Sequence, residues 1–80
     1  MIAYKLDTLE DVNNLVKVCD RYDFYIDVIH GSQVVDGKSV LGVASLVGKF
    51  VTVIPQTDDE VAISKFESEI KKYSKCHKDY

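Results

Sequence analysis

The spacing of apolar residues changes several times along the chain, and each change predicts a new element of secondary structure. In residues 2–6 the larger apolar side chains fall at every second position, which is typical of a strand with one buried face. Apolar residues then recur at intervals of three and four. That spacing predicts an amphipathic helix with a buried stripe made of Leu9, Val12, Leu15, Val16 and Cys19. Thr8 and Asp11 have capping-box spacing, so this helix should begin after Thr8.

The next part of the chain predicts two strands and then a short helix. The segment 24–29 is rich in aromatic and β-branched residues, which favours a second strand. A turn at residues 30–31 precedes a short third strand over residues 32–35, and another turn follows at residues 36–37. Ser39 then stands where a helix N-cap belongs, directly before an apolar stretch that predicts a short second helix.

The last third of the chain predicts a fourth strand and a third helix. Residues 50–54 are apolar and β-branched, and Pro55 should end this strand because proline cannot donate to a sheet. Thr57 and Glu60 have capping-box spacing and predict the start of the helix. Its buried stripe should consist of Ala62, Phe66, Ile70 and Tyr73.

The predicted order is β-α-β-β-α-β-α, which indicates an α+β protein. The natural way to bury these apolar stripes is to pack the helices on one face of a mostly antiparallel sheet. A chain of 80 residues is long enough for one domain with a modest core. We expect that domain to cover residues 1–74, followed by a polar tail over residues 75–80.

Composition and charge narrow the function classes. The net charge of −3 disfavours nucleic acid as a direct partner, because phosphate binding requires a basic surface. Neither a signal peptide nor an apolar run long enough to cross a membrane is visible, so we expect a cytoplasmic protein that does not contact a membrane. Two cysteines are too few for a disulfide framework.

No constellation in the sequence predicts catalysis. No nucleophile lies in an evident pair with a base, and His77 beside Cys76 is at most half of a zinc site. His30 falls in a predicted turn, where a histidine is more often structural or exposed than functional. We therefore expect no enzyme activity, no metal site and no cofactor.

The segment around Ser39 carries a family resemblance. Residues 38–46, KSVLGVASL, resemble the segment around the regulatory serine of the HPr family, the small histidine-containing phosphocarriers of the bacterial sugar phosphotransferase system. The order and spacing of the predicted elements agree with that family over residues 1 to about 73. The resemblance implies an open-faced sandwich in which three helices cover one face of a four-stranded antiparallel sheet.

The same resemblance places a different residue at the family's phosphorylation site. Alignment without gaps from Ser39 puts Thr8 where the family has its phosphorylated histidine, and Glu10 where it has an arginine that helps to hold the phosphate. Asp11 stands at the position of the family's proline. Carboxylates there would repel a phosphate, and a threonine ester lacks the labile bond that onward transfer requires. We therefore expect no phosphocarrier activity at Thr8.

Ser39 has two interpretations. As an N-cap it would contribute about 1 kcal/mol to stability. The resemblance also implies regulation, because the matching serine of Gram-positive relatives is phosphorylated by a dedicated kinase and the product binds a transcriptional regulator. Partners would then dock on an apolar surface that includes Val40, Leu41 and Val43.

Three functions remain open at this stage. The first is a regulatory or binding module related to the phosphotransferase system, with proteins such as an HPr-type serine kinase or a transcriptional regulator as partners. The second is a phosphocarrier that uses another acceptor. The third is an interaction scaffold without any phosphorylation.

Overall fold

The computed structural model describes residues 2–73, and its elements follow the predicted order. The predicted tail, with Cys76 and His77, lies outside these residues. The seven elements are β1 (Ile2–Lys5), α1 (Leu9–Cys19), β2 (Tyr25–His30), β3 (Gln33–Asp36), α2 (Val40–Ala44), β4 (Phe50–Gln56) and α3 (Glu60–Tyr73).

The four strands form one antiparallel sheet in the spatial order β1-β4-β2-β3. The register aligns Tyr4 with Val51, and Val28 with both Val53 and Val35. These side chains point to the helical side, where the three helices bury them, so the predicted α+β open-faced sandwich is confirmed. The opposite surface, made of the outward-pointing residues of all four strands, is called the open sheet face below.

One continuous core lies between the sheet and the helices. Phe66 and Ile70 on α3 are fully buried in it, as the helical spacing predicted. The Phe66 ring makes edge-on contacts with Tyr22, at 5.3 Å between ring centroids, and with Phe24, at 6.3 Å. Because both partners lie in the loop between α1 and β2, the three rings join that loop to the last helix.

A polar contact reinforces this junction. Glu69 accepts hydrogen bonds from the hydroxyl of Tyr22 and from the guanidinium of Arg21. The hydrogen bond from Tyr22 and the charge of Arg21 hold the pKa of Glu69 below its usual value, against a smaller opposing effect of burial. Burial and the same hydrogen bond raise the pKa of Tyr22 to about 12, so the pair keeps its charge state across the neutral range.

Several predicted details of the strands and helices are wrong. β2 and β3 each lie one residue further along the chain than predicted. Pro55 lies within β4 rather than after it, where it pairs with Ile26 of β2. Leu9 is exposed on the first turn of α1, whereas Val18 is buried.

The start of α3 also differs from the prediction. Its cap is Asp59, whose Oδ1 accepts from the amides of Val61 and Ala62 at 3.0 and 3.2 Å. The Thr57 hydroxyl instead accepts from the amide of Asp59 at 3.2 Å, which holds the turn before the helix. No helix within residues 2–73 has the length and apolar character needed to cross a bilayer.

Candidate functional site

The N-terminus of α1 is closed by its own side chains. The Thr8 hydroxyl accepts from the amide of Asp11 at 3.2 Å, and Asp11 Oδ2 accepts in return from the amide of Thr8 at 3.0 Å. The same oxygen accepts from the amide of Asp7 at 2.8 Å. The capping box predicted from the sequence is therefore present, and its carboxylate also takes an amide from the preceding turn.

This arrangement fills the place where an anion would otherwise meet the helix. Amides at a helix N-terminus favour a phosphate because they present unpaired N–H groups and a partial positive charge. Here Asp11, only 6% exposed, brings a negative charge to that point, and Glu10 adds another on the same turn. A phosphoryl group on Thr8 would displace the capping hydrogen bond and stand beside these carboxylates.

The base of this site is also rigid. The Tyr4 hydroxyl donates to the backbone carbonyl of Asp11 at 3.3 Å from within the core. Burial, followed by the charge of Asp11, raises the pKa of Tyr4 well above its usual value, so Tyr4 remains a neutral donor. The start of α1 is thus fixed from both the solvent side and the core side.

Ser39 lies at the N-terminus of α2, as predicted. Its backbone is extended and its hydroxyl accepts from the amide of Gly42 at 3.1 Å. The preceding turn is held by Asp36, whose Oδ1 accepts from the amide of Lys38 at 2.9 Å and whose carbonyl accepts from the amide of Ser39 at 3.0 Å. Ser39 itself is half-buried, and its hydroxyl has a structural role as the helix cap.

The ammonium of Lys38 does not face Ser39 in this structure. It donates to the backbone carbonyl of Tyr22, in the loop between α1 and β2. In the unmodified protein this ammonium is therefore engaged by the Tyr22 carbonyl and is not free to pair with a phosphate on Ser39. Lys38 instead ties the turn before α2 to the aromatic junction.

The predicted docking surface on α2 is only partly exposed. Leu41 is 85% exposed and Val40 is about half exposed, so both are available to a partner. Val43 is fully buried and belongs to the core, so its assignment to the docking surface is wrong. The physical reason is packing: α2 lies against α1 and β3, and Val43 is on the side of α2 that these elements cover, whereas Val40, on the preceding turn, is only half covered.

Gly37 brings the turn before α2 close to α1 and β2. Its amide donates to the carbonyl of Ile26 at 2.8 Å. A Cβ at this position would lie 3.0 Å from the Sγ of Cys19 and 3.1 Å from the carbonyl oxygen of Ile26. Burial raises the pKa of the Cys19 thiol to about 12, so Cys19 is a neutral packing residue, as its position in the helix predicted.

His30 is the remaining candidate side chain within residues 2–73. His30 is exposed at the end of β2, and its Nδ1 lies 3.1 Å from the Phe50 carbonyl, a hydrogen bond that requires a proton on Nδ1. Within residues 2–73 no group of three or more His, Cys, Asp or Glu side chains is placed to hold a metal ion.

Two features of the site were not predicted from the sequence. Asp11 was expected to cap α1 but not to accept from the amide of Asp7 as well, a contact that depends on how the chain leaves β1. The exposure of Leu9 was missed because its spacing fits the buried stripe, although its place on the first helical turn was a signal that it could lie beyond the core.

Comparison with known proteins bears on the fold. No protein-family model and no curated protein matches the sequence. Among solved structures, the chain is similar to the crystal structure of HPr-C-His from Thermoanaerobacter tengcongensis, with a TM-score of 0.67 and 21% sequence identity. The match covers 90% of this chain and 91% of that chain. The likeness therefore spans nearly the whole of both molecules and shows that this chain has the HPr-like fold.

Proposed function

We propose that this protein is an HPr-like module without phosphocarrier activity, and that it acts through protein binding regulated at Ser39. The observation that carries the proposal is the contrast between two helix N-termini. At α1, the position expected for the phosphorylated histidine is a threonine capped by a buried aspartate. At α2, a half-buried serine stands two residues before the exposed Leu41.

The chemistry at Ser39 supports regulation by modification. Phosphorylation would add about −1.5 to −2 charges beside an apolar surface formed by Val40 and Leu41. Such a change favours partners with a basic group next to an apolar contact and disfavours purely apolar ones. The core residues beneath α2, including Val43, do not depend on the Ser39 hydroxyl for their packing, so the fold should survive the modification.

The partners that fit this proposal are cytoplasmic proteins of the sugar phosphotransferase system and its regulation. An HPr-type serine kinase would modify Ser39, and a transcriptional regulator or similar protein would bind the product. The HPr-like fold and the segment 38–46 support this assignment. A scaffold that binds through the same surface without modification is the alternative.

A kinase reaction tests the regulatory role. We expect an HPr-type serine kinase with ATP to add one phosphate to the wild-type chain, read by intact mass, and none to Ser39→Ala. Ser45→Ala is the matched control, because Ser45 is an exposed serine at the other end of α2 and should not affect labelling. Ser39→Ala should also lose about 1 kcal/mol of stability as a lost N-cap.

The outcome that favours the scaffold is specific. If a kinase that labels a control HPr leaves the wild-type chain unmodified while Ser39→Ala still shows the stability loss, Ser39 is only a helix cap. Labelling that persists in Ser39→Ala would place the modification at another residue and contradict the proposal directly.

A further inference from the structure

Several large apolar side chains on the open sheet face are exposed to solvent, among polar residues that include Thr52 and Gln56. Phe50 is 57% exposed and Tyr25 is 77% exposed, and Val34 is also exposed on the edge strand β3. The half-buried Ile29 and Ile54 connect these residues across the middle of the face. Contiguous apolar surface of this kind on a small soluble domain indicates an interaction site.

Charged residues occupy two opposite corners of the same face. Lys5 lies on the edge strand β1 opposite Phe50, and its ammonium stands 5.2 Å from the centre of that ring and 3.8 Å from Asp7 Oδ1, in a partly exposed ion pair that a second carboxylate could join. Asp27 and Asp36 lie directly opposite each other on β2 and β3. Asp27 Oδ2 accepts a hydrogen bond from Gln56 Nε2 at 2.9 Å, but within residues 2–73 no cation forms an ion pair with either carboxylate on this face. Like charges directly opposite each other are unfavourable in a sheet, so a cation from a partner would be stabilising there.

The distance between the Lys5 corner and the acidic corner is nearly the same along the strands as across them. Lys5 pairs with Phe50 of β4, and Asp27 pairs with Ile54 of the same strand. These two positions on β4 are four residues apart, which is roughly 13 Å along the strands. Two to three strand spacings separate β1 from the acidic pair, which is about 10–14 Å across the sheet. Consider a two-fold axis that lies in the plane of the face, at about 45° to the strands. Such an axis places the Lys5 corner of one copy over the acidic corner of a second copy.

We propose that two copies of this chain associate through their open sheet faces, with strands crossing at about a right angle. Each Lys5 then meets Asp27 and Asp36 of the other copy, twice by symmetry, while Phe50, Ile29 and Ile54 pack between them. Near-perpendicular crossing is one of the two established ways in which sheets stack. A face that carries both members of each charge pair is what an isologous dimer requires. This inference does not depend on the function proposed for Ser39, which concerns the helical side.

The size of the face sets the strength of the association. Four strands span about 19 Å and β4 about 23 Å, so the flat contact is on the order of 400 Å², below the roughly 800 Å² per partner of a standard interface. The dimer should therefore be weak and dependent on concentration, and raised salt should weaken it further.

Charge reversal on each side of the pair tests this geometry. We expect sedimentation velocity on the full chain, up to millimolar concentration, to show a monomer–dimer equilibrium. Lys5→Glu and Asp27→Lys should each weaken it by at least about tenfold, since each places like charges together twice. An equimolar mixture of the two variants should recover much of the association, because three of the four cross-contacts in the mixed dimer are then of opposite sign; only the carboxylate introduced by Lys5→Glu and Asp36 of the Asp27→Lys chain remain a like-charge pair.

The controls separate pairing from net charge. Lys5→Glu makes the chain more acidic and Asp27→Lys makes it less acidic, so a general charge effect would move their association in opposite directions. Lys65→Glu makes the same charge change as Lys5→Glu on the exposed side of α3 and should leave dimerisation unchanged. Circular dichroism and thermal midpoints of each variant confirm that the fold is retained.

Three results would overturn the proposal. One is a wild-type chain that remains monomeric at millimolar concentration. A second is a dimer that responds to Lys65→Glu but not to Lys5→Glu or Asp27→Lys. The third comes from amide NMR spectra: shifts on the open sheet face that ignore concentration but change when residues 74–80 are deleted would mean that the chain's own tail covers this face.

Discussion

Replacing Phe66 by alanine should lower the free energy of unfolding by about 3–5 kcal/mol, the usual cost of deleting a buried phenylalanine. Phe66 is fully buried and its ring contacts both Tyr22 and Phe24. The substitution leaves a cavity beneath α3 and removes two edge-on aromatic contacts, each worth about 0.5–1.5 kcal/mol beyond its buried area. For a domain of 80 residues this is a large part of the total stability.

Urea denaturation followed by circular dichroism measures this effect. Val61→Ala is the matched control, because Val61 is on the same helix but 78% exposed, and its change should stay within about 0.5 kcal/mol. If Phe66→Ala is already unfolded in buffer, Phe66→Leu should give a smaller loss, below about 1.5 kcal/mol. Equal effects of Phe66→Ala and Val61→Ala would mean that α3 packs with a different face than the structure shows.

Gly37→Ala should destabilise the protein by about 1–3 kcal/mol, the range found for overpacked cores. The new Cβ would lie 3.0 Å from Cys19 Sγ and 3.1 Å from both Cγ2 and the carbonyl oxygen of Ile26. The backbone cannot easily move away, because the Gly37 amide donates to that same carbonyl. The lower entropy of alanine in the unfolded chain, worth about 0.4–1 kcal/mol, should offset only part of this strain.

Gly42→Ala provides the comparison for Gly37→Ala. At Gly42 the added Cβ would approach Ser39 Oγ and Val35 Cβ at 3.3 Å, and the gain in helix propensity of about 1 kcal/mol opposes this crowding. We expect a change near zero for Gly42→Ala in the same urea experiment. A Gly37→Ala variant as stable as the wild type would show that α1 and the turn before α2 are not in close contact.

The order and type of the elements could be predicted because local signals and buried spacing agree in this chain. The capping box of Thr8 and Asp11, the cap at Ser39 and the burial of Phe66 and Ile70 all follow from residue type and spacing. These features depend on contacts within a few residues or on the side of a helix that faces the core, and both leave a clear pattern in the sequence.

The errors arose where a neighbouring element decides the outcome. Leu9 fits the spacing of the buried stripe but lies beyond the core, and Val43 was assigned to the surface although α2 packs it against the sheet. Pro55 lies inside β4, where its pairing with Ile26 of β2 continues the strand. Which element packs against each of these residues cannot be predicted from the residues next to it in the sequence.

The site was predictable in its parts but not in its contacts. Sequence alone placed Thr8 and Ser39 at helix starts, yet the second amide held by Asp11 and the bond from Lys38 to Tyr22 depend on tertiary structure. The apolar character of the open sheet face is visible in the sequence of two strands. β2 is apolar at four of its six positions and β4 at five of its seven, so both strands carry apolar residues on each face, a pattern closer to strands covered on both sides than to strict alternation.

Incubation with the first enzyme of the sugar phosphotransferase system and labelled phosphoenolpyruvate tests most directly whether this HPr-like chain carries phosphate. A control HPr should take up label in the same reaction. We expect no acid-labile label on the wild-type chain, because Thr8 replaces the acceptor and Asp11 fills the adjacent amides. Stoichiometric acid-labile label on the wild-type chain would contradict the account, and its loss in His30→Ala or His77→Ala would identify the acceptor.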